Sequence, residues 1–252
     1  KQTMNSIRHY LLLAAILYGV GGLCAQDFHY SQFYHAPMHL NPALTGVFNG
    51  DARISGNYKS QWQDVKVDYK TFTLAYDKKF FNRTDRTGFF SGGIALNYDR
   101  AGDSKLAWAD VDLNLSYTKL LSQGIFLTLG GQAGIVQRSF DQGNLRFNDQ
   151  YDVGRSEYNP GLPSGENFSS DSNLFPDFSV GLNLRWQSKQ SNGIVYRNKK
   201  RSKLDLGVAL HHLTSPDQSF IEDVKVPLER RLSPYLMGTL QIAKAFDLVG
   251  NL

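Results

Sequence analysis

Side chains that could carry out catalysis come together at one point of the chain. His211 and His212 are followed by Ser215, and a serine–histidine pair is what an outer-membrane lipase would need. These residues end an alternating stretch and enter the loop "TSPDQ", where polar side chains are expected. No G-x-S-x-G, H-E-x-x-H, P-loop or CxxC motif occurs in the sequence. We therefore predict a protein that is not an enzyme.

Two further groups of residues could bind a metal ion by composition. His29, His35 and His39 follow one another closely, but no carboxylate or cysteine at ligand spacing accompanies them. The stretch "DQGNLRFNDQYD" offers oxygen ligands for calcium, although it lacks the ligand spacing of a known calcium loop. We predict no metal and no other cofactor. The histidines are expected to pack, and the acidic stretch to form a solvated loop.

The N-terminus has the pattern of a secretory signal peptide. A basic start precedes the apolar run "YLLLAAILYGV", and "GGLCA" then supplies small residues before a cleavage site after Ala25. Gln26 would become the mature N-terminus. Lipidation of Cys24 is the alternative, and Leu23 in front of it disfavours that modification. Cys24 is the only cysteine, so a disulfide framework and a thiolate metal cluster are excluded from the mature chain.

The charge of the chain is mildly basic, with a formal net charge of +4. Much of the excess lies in "RNKKRSK", from Arg197 to Lys203, which suits a solvated loop or contact with anionic headgroups. An exported chain without interleaved aromatic and basic residues does not suit nucleic acid, so no nucleic-acid partner is expected.

From Asp51 onward the sequence alternates repeatedly between apolar and polar residues. In "DVDLNLSYT", Leu113 and Leu115 share one face, while Asp110 and Asp112 share the other. Eight stretches behave in this way, and a ninth strand begins near Leu248. The eight stretches are "ARISGNYKSQW", "YKTFTLAYDKKF", "FFSGGIALNYD", "DVDLNLSYT", "GIFLTLGGQAGIVQR", "DFSVGLNLRWQ", "KLDLGVALHHL" and "PYLMGTLQIAK".

The length of these strands favours a membrane barrel over a secreted β-sandwich. Each runs for roughly ten to fourteen residues, whereas a strand tilted across a bilayer needs about 9–11 residues and soluble strands are usually shorter. Aromatic residues near strand ends on the apolar face suit an interfacial girdle, namely Tyr76, Tyr98, Tyr117 and Trp186. We predict an all-β, up-and-down, antiparallel transmembrane barrel in contact with outer-membrane lipid.

The lengths of the connections predict how the barrel is oriented. The tight connections Ser122–Gly124 and Phe246–Asp247 suit periplasmic turns, whereas Phe140–Leu174 is a long polar loop. With the N-terminus in the periplasm, strand parity places Phe140–Leu174 outside the cell. This loop and Thr214–Glu229 are the expected sites of partner binding.

The stretch after the leader resembles the start of mature proteins of the PorP/SprF family, from the type IX secretion system of Bacteroidetes. The pattern is "QD-F--SQFY--P--LNPALTG", and an arginine, the run "NYKSQW" and a Thr…Tyr-Asp strand follow it. Lys59 stands where arginine is more usual. The matching residues are Gln26, Asp27, Phe28, Ser31, Gln32, Phe33, Tyr34, Pro37, Leu40, Asn41, Pro42, Ala43, Gly46, Arg53, Tyr58, Lys59, Gln61, Trp62, Thr71, Tyr76 and Asp77.

The resemblance implies an outer-membrane barrel that serves secretion or gliding. Its implied partners are a large secreted adhesin-type substrate with a type B C-terminal domain, the PorK/PorN ring and a PorE-like peptidoglycan-binding lipoprotein. The alternative is a diffusion channel or transporter for small solutes, which would conduct alone and keep no stable protein partner.

The expected organisation is a signal peptide over residues 1–25, a plug-like N-terminal segment over 26–50 and a barrel over 51–252. The barrel is expected to be incomplete, because "DLVGNL" ends as a strand begins. Tyr30, Phe33, Tyr34 and His35 are expected to face the polar wall, with Asn41–Pro42 turning into the first strand. A lumenal polar network is predicted to hold the segment, formed by Arg53, Lys59, Gln61, Asp77, Asp110, Asp112 and Arg185.

Overall fold

The computed structural model describes residues 33–62, 68–80, 87–166, 168–188, 202–221, 224–243 and 245–252. The predicted signal peptide and its cleavage site lie outside these residues, as do Gln26 to Gln32 of the family pattern and most of the basic stretch 197–203.

The described residues form eleven strands and very little helix. The strands are β1 Ala52–Gln61, β2 Tyr69–Phe80, β3 Gly88–Ala101, β4 Leu106–Ser122, β5 Ile125–Ser139, β6 Tyr151–Asp152, β7 Glu157–Tyr158, β8 Ser172–Gln187, β9 Lys203–His211, β10 Arg231–Gln241 and β11 Asp247–Asn251. The helical pieces are α1 Pro37–Leu40 and the 3-10 turns Phe33–His35, Pro42–Leu44, Gln142–Asn144 and Asn148–Gln150.

One antiparallel sheet contains nine of these strands, in the order β1-β2-β3-β4-β5-β8-β9-β10-β11. Each main strand pairs with the next one along the chain, and the sheet curls into a half-barrel. The predicted all-β class and up-and-down order are confirmed, and the ninth strand expected near Leu248 is β11. Strands β6 and β7 form a separate hairpin, in a connection for which the sequence predicted only a solvated loop.

Three of the main strands, β4, β5 and β8, are longer than the ten to fourteen residues that the sequence indicated. Strand β4 has 17 residues and β8 has 16, whereas β9 has 9. The extra residues lie at strand ends, where pairing with a neighbour continues past the last alternating apolar residue. In β4, for example, Leu106 and Ala107 pair with Ala101 and Arg100 of β3. Hydrogen bonding across the ladder therefore extends strands beyond their hydrophobic pattern.

The two faces of the sheet differ in polarity as the alternation predicts. In β4, Asp110, Asp112 and Asn114 are buried inside the curl, while Leu113 and Leu115 are 61% and 70% exposed on the outer face. In β3 and β8 as well, polar side chains lie on the buried face and apolar side chains on the exposed face, the reverse of a sheet in a soluble protein. A polar interior and an apolar exterior are what a barrel in lipid requires.

The aromatic residues predicted for a girdle lie on the outer face. Tyr76, Tyr98 and Trp186 are exposed there, and Tyr117 packs against Phe90 with ring centroids 4.7 Å apart. No helix in the described parts of the chain is both long and apolar enough to cross a membrane.

The two tight turns and the two longest connections lie at opposite ends of the sheet. The tight turns after β4 and β10 are at the end where β1 begins. Gly124 allows the first of these turns, because its φ of +82° is unfavourable for other residues. The connections from β5 to β8 and from β9 to β10 lie at the other end. We call them the β5–β8 loop, residues 140–171, and the β9–β10 loop, residues 212–230.

Candidate functional site: the segment inside the sheet

Residues 36–47, which we call the inner segment, run through the interior of the curled sheet. Proline begins each of its two helical turns, at Pro37 and Pro42, where a fixed φ favours helix and no amide hydrogen is needed. Asn41 lies between the turns, and its Oδ1 accepts a hydrogen bond from the Ala43 amide at 2.7 Å. The sequence therefore dictates a compact, non-repeating conformation for this segment.

The inner segment is almost completely buried against the sheet. Asn41, Ala43 and Thr45 have no exposed surface. The turn Pro42–Leu44 packs on β4, β5 and β8. Apolar contacts lie on both sides of it: Met38 packs on Ala75 and Ala95, and Leu44 and Val47 pack on Tyr235. The interior of the sheet is therefore filled by the chain's own N-terminal region.

Asn41 connects the inner segment to three strands. Its Nδ2 lies within hydrogen-bond distance of the Leu182 carbonyl (3.2 Å), the Val208 carbonyl (3.1 Å) and the Tyr235 hydroxyl (3.4 Å). The Tyr235 hydroxyl in turn donates to Asn183 Oδ1 at 2.8 Å. A buried amide with several partners costs little to desolvate and fixes the position of the segment.

An ion pair fixes the other end of the inner segment. Arg53 of β1 makes a two-point contact with Asp77 of β2, with Nε–Oδ1 and Nη2–Oδ2 distances of 2.9 and 2.7 Å. Asp77 also accepts the Gly46 amide at 2.8 Å, and Arg53 donates to the Leu44 carbonyl at 3.1 Å. The fully buried carboxylate of Asp77 is thus satisfied by the wall and the segment together.

Backbone carbonyls of the segment are matched by side chains of the wall. Ser116 Oγ donates to the Thr45 carbonyl at 2.7 Å, and Arg231 Nη2 donates to the His39 carbonyl at 3.2 Å. His211 Nε2 lies 3.3 Å from the Leu40 carbonyl. Irregular backbone at membrane depth requires such partners, because lipid offers none.

Glycines on the inner face leave room for the segment. A Cβ on Gly130 would collide with the backbone of Pro42 and Ala43, and one on Gly181 would collide with the Asn41 amide. A Cβ on Gly93 would approach Met38 Sδ to 2.9 Å. The sequence analysis did not connect these glycines with the segment, although they stand opposite it in three different strands.

Two further polar clusters cover the inner wall. Arg185 pairs with Asp205 through Nε–Oδ1 and Nη2–Oδ2 distances of 2.7 and 2.9 Å, and Asn183 donates to the same carboxylate at 3.2 Å. Trp108 Nε1 donates to Asp110 at 2.6 Å, and Asn97 donates to both Asp110 and Asp112. These clusters link neighbouring strands through side chains as well as through the ladder.

The structure brings only some of the predicted network residues to the segment. Arg53 and Asp77 contact it directly, whereas the hydrogen bonds of Arg185 and Asp110 described above are to other wall residues. Lys59 lies on the inner face of β1, and Gln61 is exposed at the end of that strand. Sequence analysis missed Ser116, Asn183, Asp205, Tyr235 and Arg231 as network members, although Asp205 and Asn183 occupy polar positions of alternating strands.

Two expectations about the N-terminal segment need correction. Tyr34 and His35 do not face the wall; both side chains are exposed. Asn41–Pro42 does not lead directly into β1, because the chain turns again at Gly46, whose φ is +76°.

His211 and His212, to which the sequence analysis assigned no catalytic role, lie close to residues other than Ser215. His211 Nδ1 lies 3.2 Å from Ser179 Oγ, and His212 Nδ1 lies 2.9 Å from Asp177 Oδ2. Over the residues the structure describes, no group of three or more histidine, cysteine or acidic side chains is arranged to hold a metal ion.

The two long loops contact each other at the far end of the sheet. Ser169 donates to the Phe220 carbonyl at 2.9 Å, and Phe140 stacks edge-on against Phe220 at 4.6 Å. In the β9–β10 loop, the Val226 and Ser219 amides donate to Asp217 Oδ1 at 2.9 and 3.0 Å. These hydrogen bonds lower the pKa of the Asp217 carboxyl.

A family model of the type IX secretion system membrane protein PorP/SprF matches residues 23–243. The chain belongs to the PorP/SprF family. A search of curated proteins and a search of solved structures gave no match. The PorP/SprF match contains the whole inner segment and all strands from β1 to β10. The resemblance noted in the N-terminal residues therefore extends through the sheet, and the protein is a membrane component of type IX secretion.

Proposed function

We propose that this PorP/SprF protein is a non-enzymatic component of the outer membrane that receives, translocates or anchors a secreted surface protein. The observation that carries the proposal is the polar half-barrel packed around its own inner segment, with an apolar outer face. An apolar exterior with aromatic residues suits lipid, and the signal-peptide pattern of the leader suits export.

The inner segment is proposed to act as a plug or prop. It occupies the volume that a solute would otherwise cross, and its polar groups are satisfied by Asp77, Ser116 and other wall residues. A diffusion channel with a permanently filled interior would be a poor one. The proposed partners are a secreted adhesin-type substrate, the PorK/PorN ring and a PorE-like lipoprotein.

The experiment that tests the function is a gentle-detergent pull-down of the tagged, full-length protein from its native outer membrane, followed by mass spectrometry. We expect a large secreted protein or periplasmic ring components in the eluate. A matched variant in which a short turn replaces residues 140–171 should lose the secreted protein and keep the ring. A purified barrel with neither partner would contradict the proposal and favour the channel.

The plug role is tested separately by conductance in planar bilayers. Deleting Asp27–Met38 removes the residues before Asn41, including Met38, which packs on Ala75 and Ala95. We expect the deletion to raise conductance above that of the intact protein. Unchanged conductance would show that residues 27–38 do not plug the interior.

A further inference from the structure

A cavity of about 570 Å³ lies in the β5–β8 loop, far from the inner segment. Three of the side chains that line it are aromatic, Phe147, Tyr158 and Phe168, and Glu166 adds a carboxylate. Ile221 of the β9–β10 loop also lines it. This volume is within the range of roughly 300–1,000 Å³ that is typical of ligand sites.

The aromatic walls of the cavity are held in place by contacts within the loops. Gln150 Oε1 accepts a hydrogen bond from the Tyr158 hydroxyl at 3.1 Å, and Gln150 Nε2 donates to the Leu162 carbonyl at 3.2 Å. Phe168 packs edge-on against Phe140, with centroids 5.0 Å apart. The cavity is therefore formed before any ligand binds, which reduces the entropy lost on binding.

The stretch that forms the cavity is negatively charged, in a chain that is basic as a whole. Residues 140–174 contain six carboxylates and two guanidinium groups, which gives a formal charge of −4 against +4 for the chain. Asp141 pairs with Lys105 at 2.9 Å, and Asp152 lies 3.8 Å from Arg155. Glu166 has no cationic partner among the residues that the structure describes, and its side chain is exposed at the cavity.

Aromatic rings of these loops already contact cations of the chain itself. The guanidinium of Arg146 lies 5.0 Å from the centroid of the Tyr158 ring, and that of Arg138 lies 5.9 Å from the Phe220 ring. A ring face attracts a cation electrostatically, and a nearby carboxylate adds to the attraction. Aromatic walls with an unpaired carboxylate therefore suit a cationic side chain better than an anionic or purely apolar group.

We propose that this cavity binds a lysine or arginine side chain presented by an extended segment of a secreted polypeptide. The inference rests on the proposed function in taking a polypeptide as the ligand. The negative field of the loop would attract a basic segment from solution, and the cavity would then select one cationic side chain. The site thus supplies a chemical criterion for which part of a secreted protein the barrel engages.

The test measures binding of short fluorescent peptides to the full chain in detergent micelles by fluorescence anisotropy. The probes are Gly-Ser peptides that contain lysine, arginine or, as a matched control, glutamine. We expect the lysine and arginine peptides to bind more tightly than the glutamine peptide. Added salt should weaken their binding, because Glu166 is exposed to solvent and its charge is screened.

Two pairs of variants distinguish binding in the cavity from general electrostatic attraction to the loop. Glu166→Gln should weaken binding of the cationic peptides about threefold, as expected for one exposed charge pair. Glu157→Gln makes the same chemical change at an exposed residue that does not line the cavity, and should leave binding unchanged. Tyr158→Leu should weaken binding by a similar factor, whereas Tyr158→Phe keeps the ring and should not.

Each outcome has a distinct meaning. Equal losses of peptide affinity in Glu166→Gln and Glu157→Gln would show that diffuse attraction to the loop binds the peptides, and would overturn the proposal that the cavity binds them. Equal binding of the glutamine peptide, tighter binding of a neutral oligosaccharide, or no peptide binding would overturn the cationic ligand. A pull-down without any secreted protein would refute the proposed function and leave the peptide result standing, so the two failures are distinguishable.

Discussion

The inner segment and the β5–β8 loop both lack the periodicity of a long strand, yet they are held in different ways. The loop is stabilised by its own turns: Asp141, Asp152 and Asn159 each accept an amide two residues further along the chain. Asn41 of the inner segment also accepts the Ala43 amide, but its Nδ2 contacts residues 141 to 194 positions away. The comparison indicates that the turns of the loop are held locally, whereas the segment and the sheet depend on each other.

The largest effect should come from removing the carboxylate that joins segment and wall. Asp77→Ala leaves Arg53 without its partner and the Gly46 amide unsatisfied. We expect the free energy of unfolding to fall by about 3 kcal/mol, the lower end for a broken buried pair, because Arg53 keeps 21% exposure. Denaturant unfolding in lipid vesicles, followed by tryptophan fluorescence, measures the change.

Asp99→Ala is the control for this variant. Asp99 is an aspartate of the neighbouring strand that accepts one hydrogen bond, from Thr71 Oγ1 at 2.6 Å. Its removal should cost about 1 kcal/mol. Equal losses for the two variants would mean that the segment adds nothing to the barrel's stability.

The second effect comes from filling the space that the segment occupies. Gly130→Ala places a methyl group against the backbone of Pro42 and Ala43, which cannot move away cheaply. We expect a loss of about 2 kcal/mol in unfolding free energy and weaker resistance of the segment to added protease. Gly131→Ala is the matched control, because a Cβ there has nothing within 4 Å. A neutral Gly130→Ala would contradict the tight packing described above.

A change in the β5–β8 loop should have a smaller and purely local effect. Asp152→Ala removes the acceptor of the Gly154 and Arg155 amides, at 2.9 and 3.2 Å. We expect faster hydrogen exchange in the β6–β7 hairpin, corresponding to about 1 kcal/mol of local stability, with unchanged global unfolding. Asp152→Asn keeps an acceptor and should behave like the parent. Global destabilisation by Asp152→Ala would break the contrast between the two regions.

The smallest effect is a pH dependence in the β9–β10 loop. Because amide donors lower the pKa of Asp217, its contribution to stability is complete above the ordinary carboxyl pKa of about 3.9 and is lost as the pH falls below it. Protection of the Val226 and Ser219 amides, corrected for intrinsic exchange rates, should decrease in that range. Asp217→Asn should remove the dependence while keeping an acceptor, and a variant that titrates like the parent would contradict the assignment.

The sheet could be predicted from the sequence because alternation reports directly which side of a strand faces lipid. Asp110, Asp112 and Leu113 were assigned to the correct faces on that basis. Strand ends were not predictable in the same way, since Leu106 and Ala107 belong to β4 through pairing with β3. The β6–β7 hairpin was missed because two-residue strands carry no periodicity.

The site was only partly predictable, for a different reason. Arg53 and Asp77 were placed in a polar network through the family resemblance and their polar positions, and the structure pairs them. Tyr235 was not placed in the network, because a tyrosine next to a proline fits an outward-facing aromatic position equally well. The hydrogen bonds of Asn41 to β8, β9 and β10 depend on how the sheet curls, which no local pattern reports.

The most direct test of the central claim is disulfide cross-linking of the inner segment to the wall in intact cells. Ser116 Oγ lies 2.7 Å from the Thr45 carbonyl, and Cys24 is the only native cysteine. The pair Thr45→Cys with Ser116→Cys should form a disulfide on mild oxidation, seen as a shift in gel mobility. Leu115 is the control position, because it faces outward at 70% exposure.

The account predicts cross-linking for the Thr45–Ser116 pair and none when Leu115→Cys replaces Ser116→Cys. A cross-link through Leu115→Cys as strong as or stronger than that through Ser116→Cys would show that the segment does not run through the interior of the sheet.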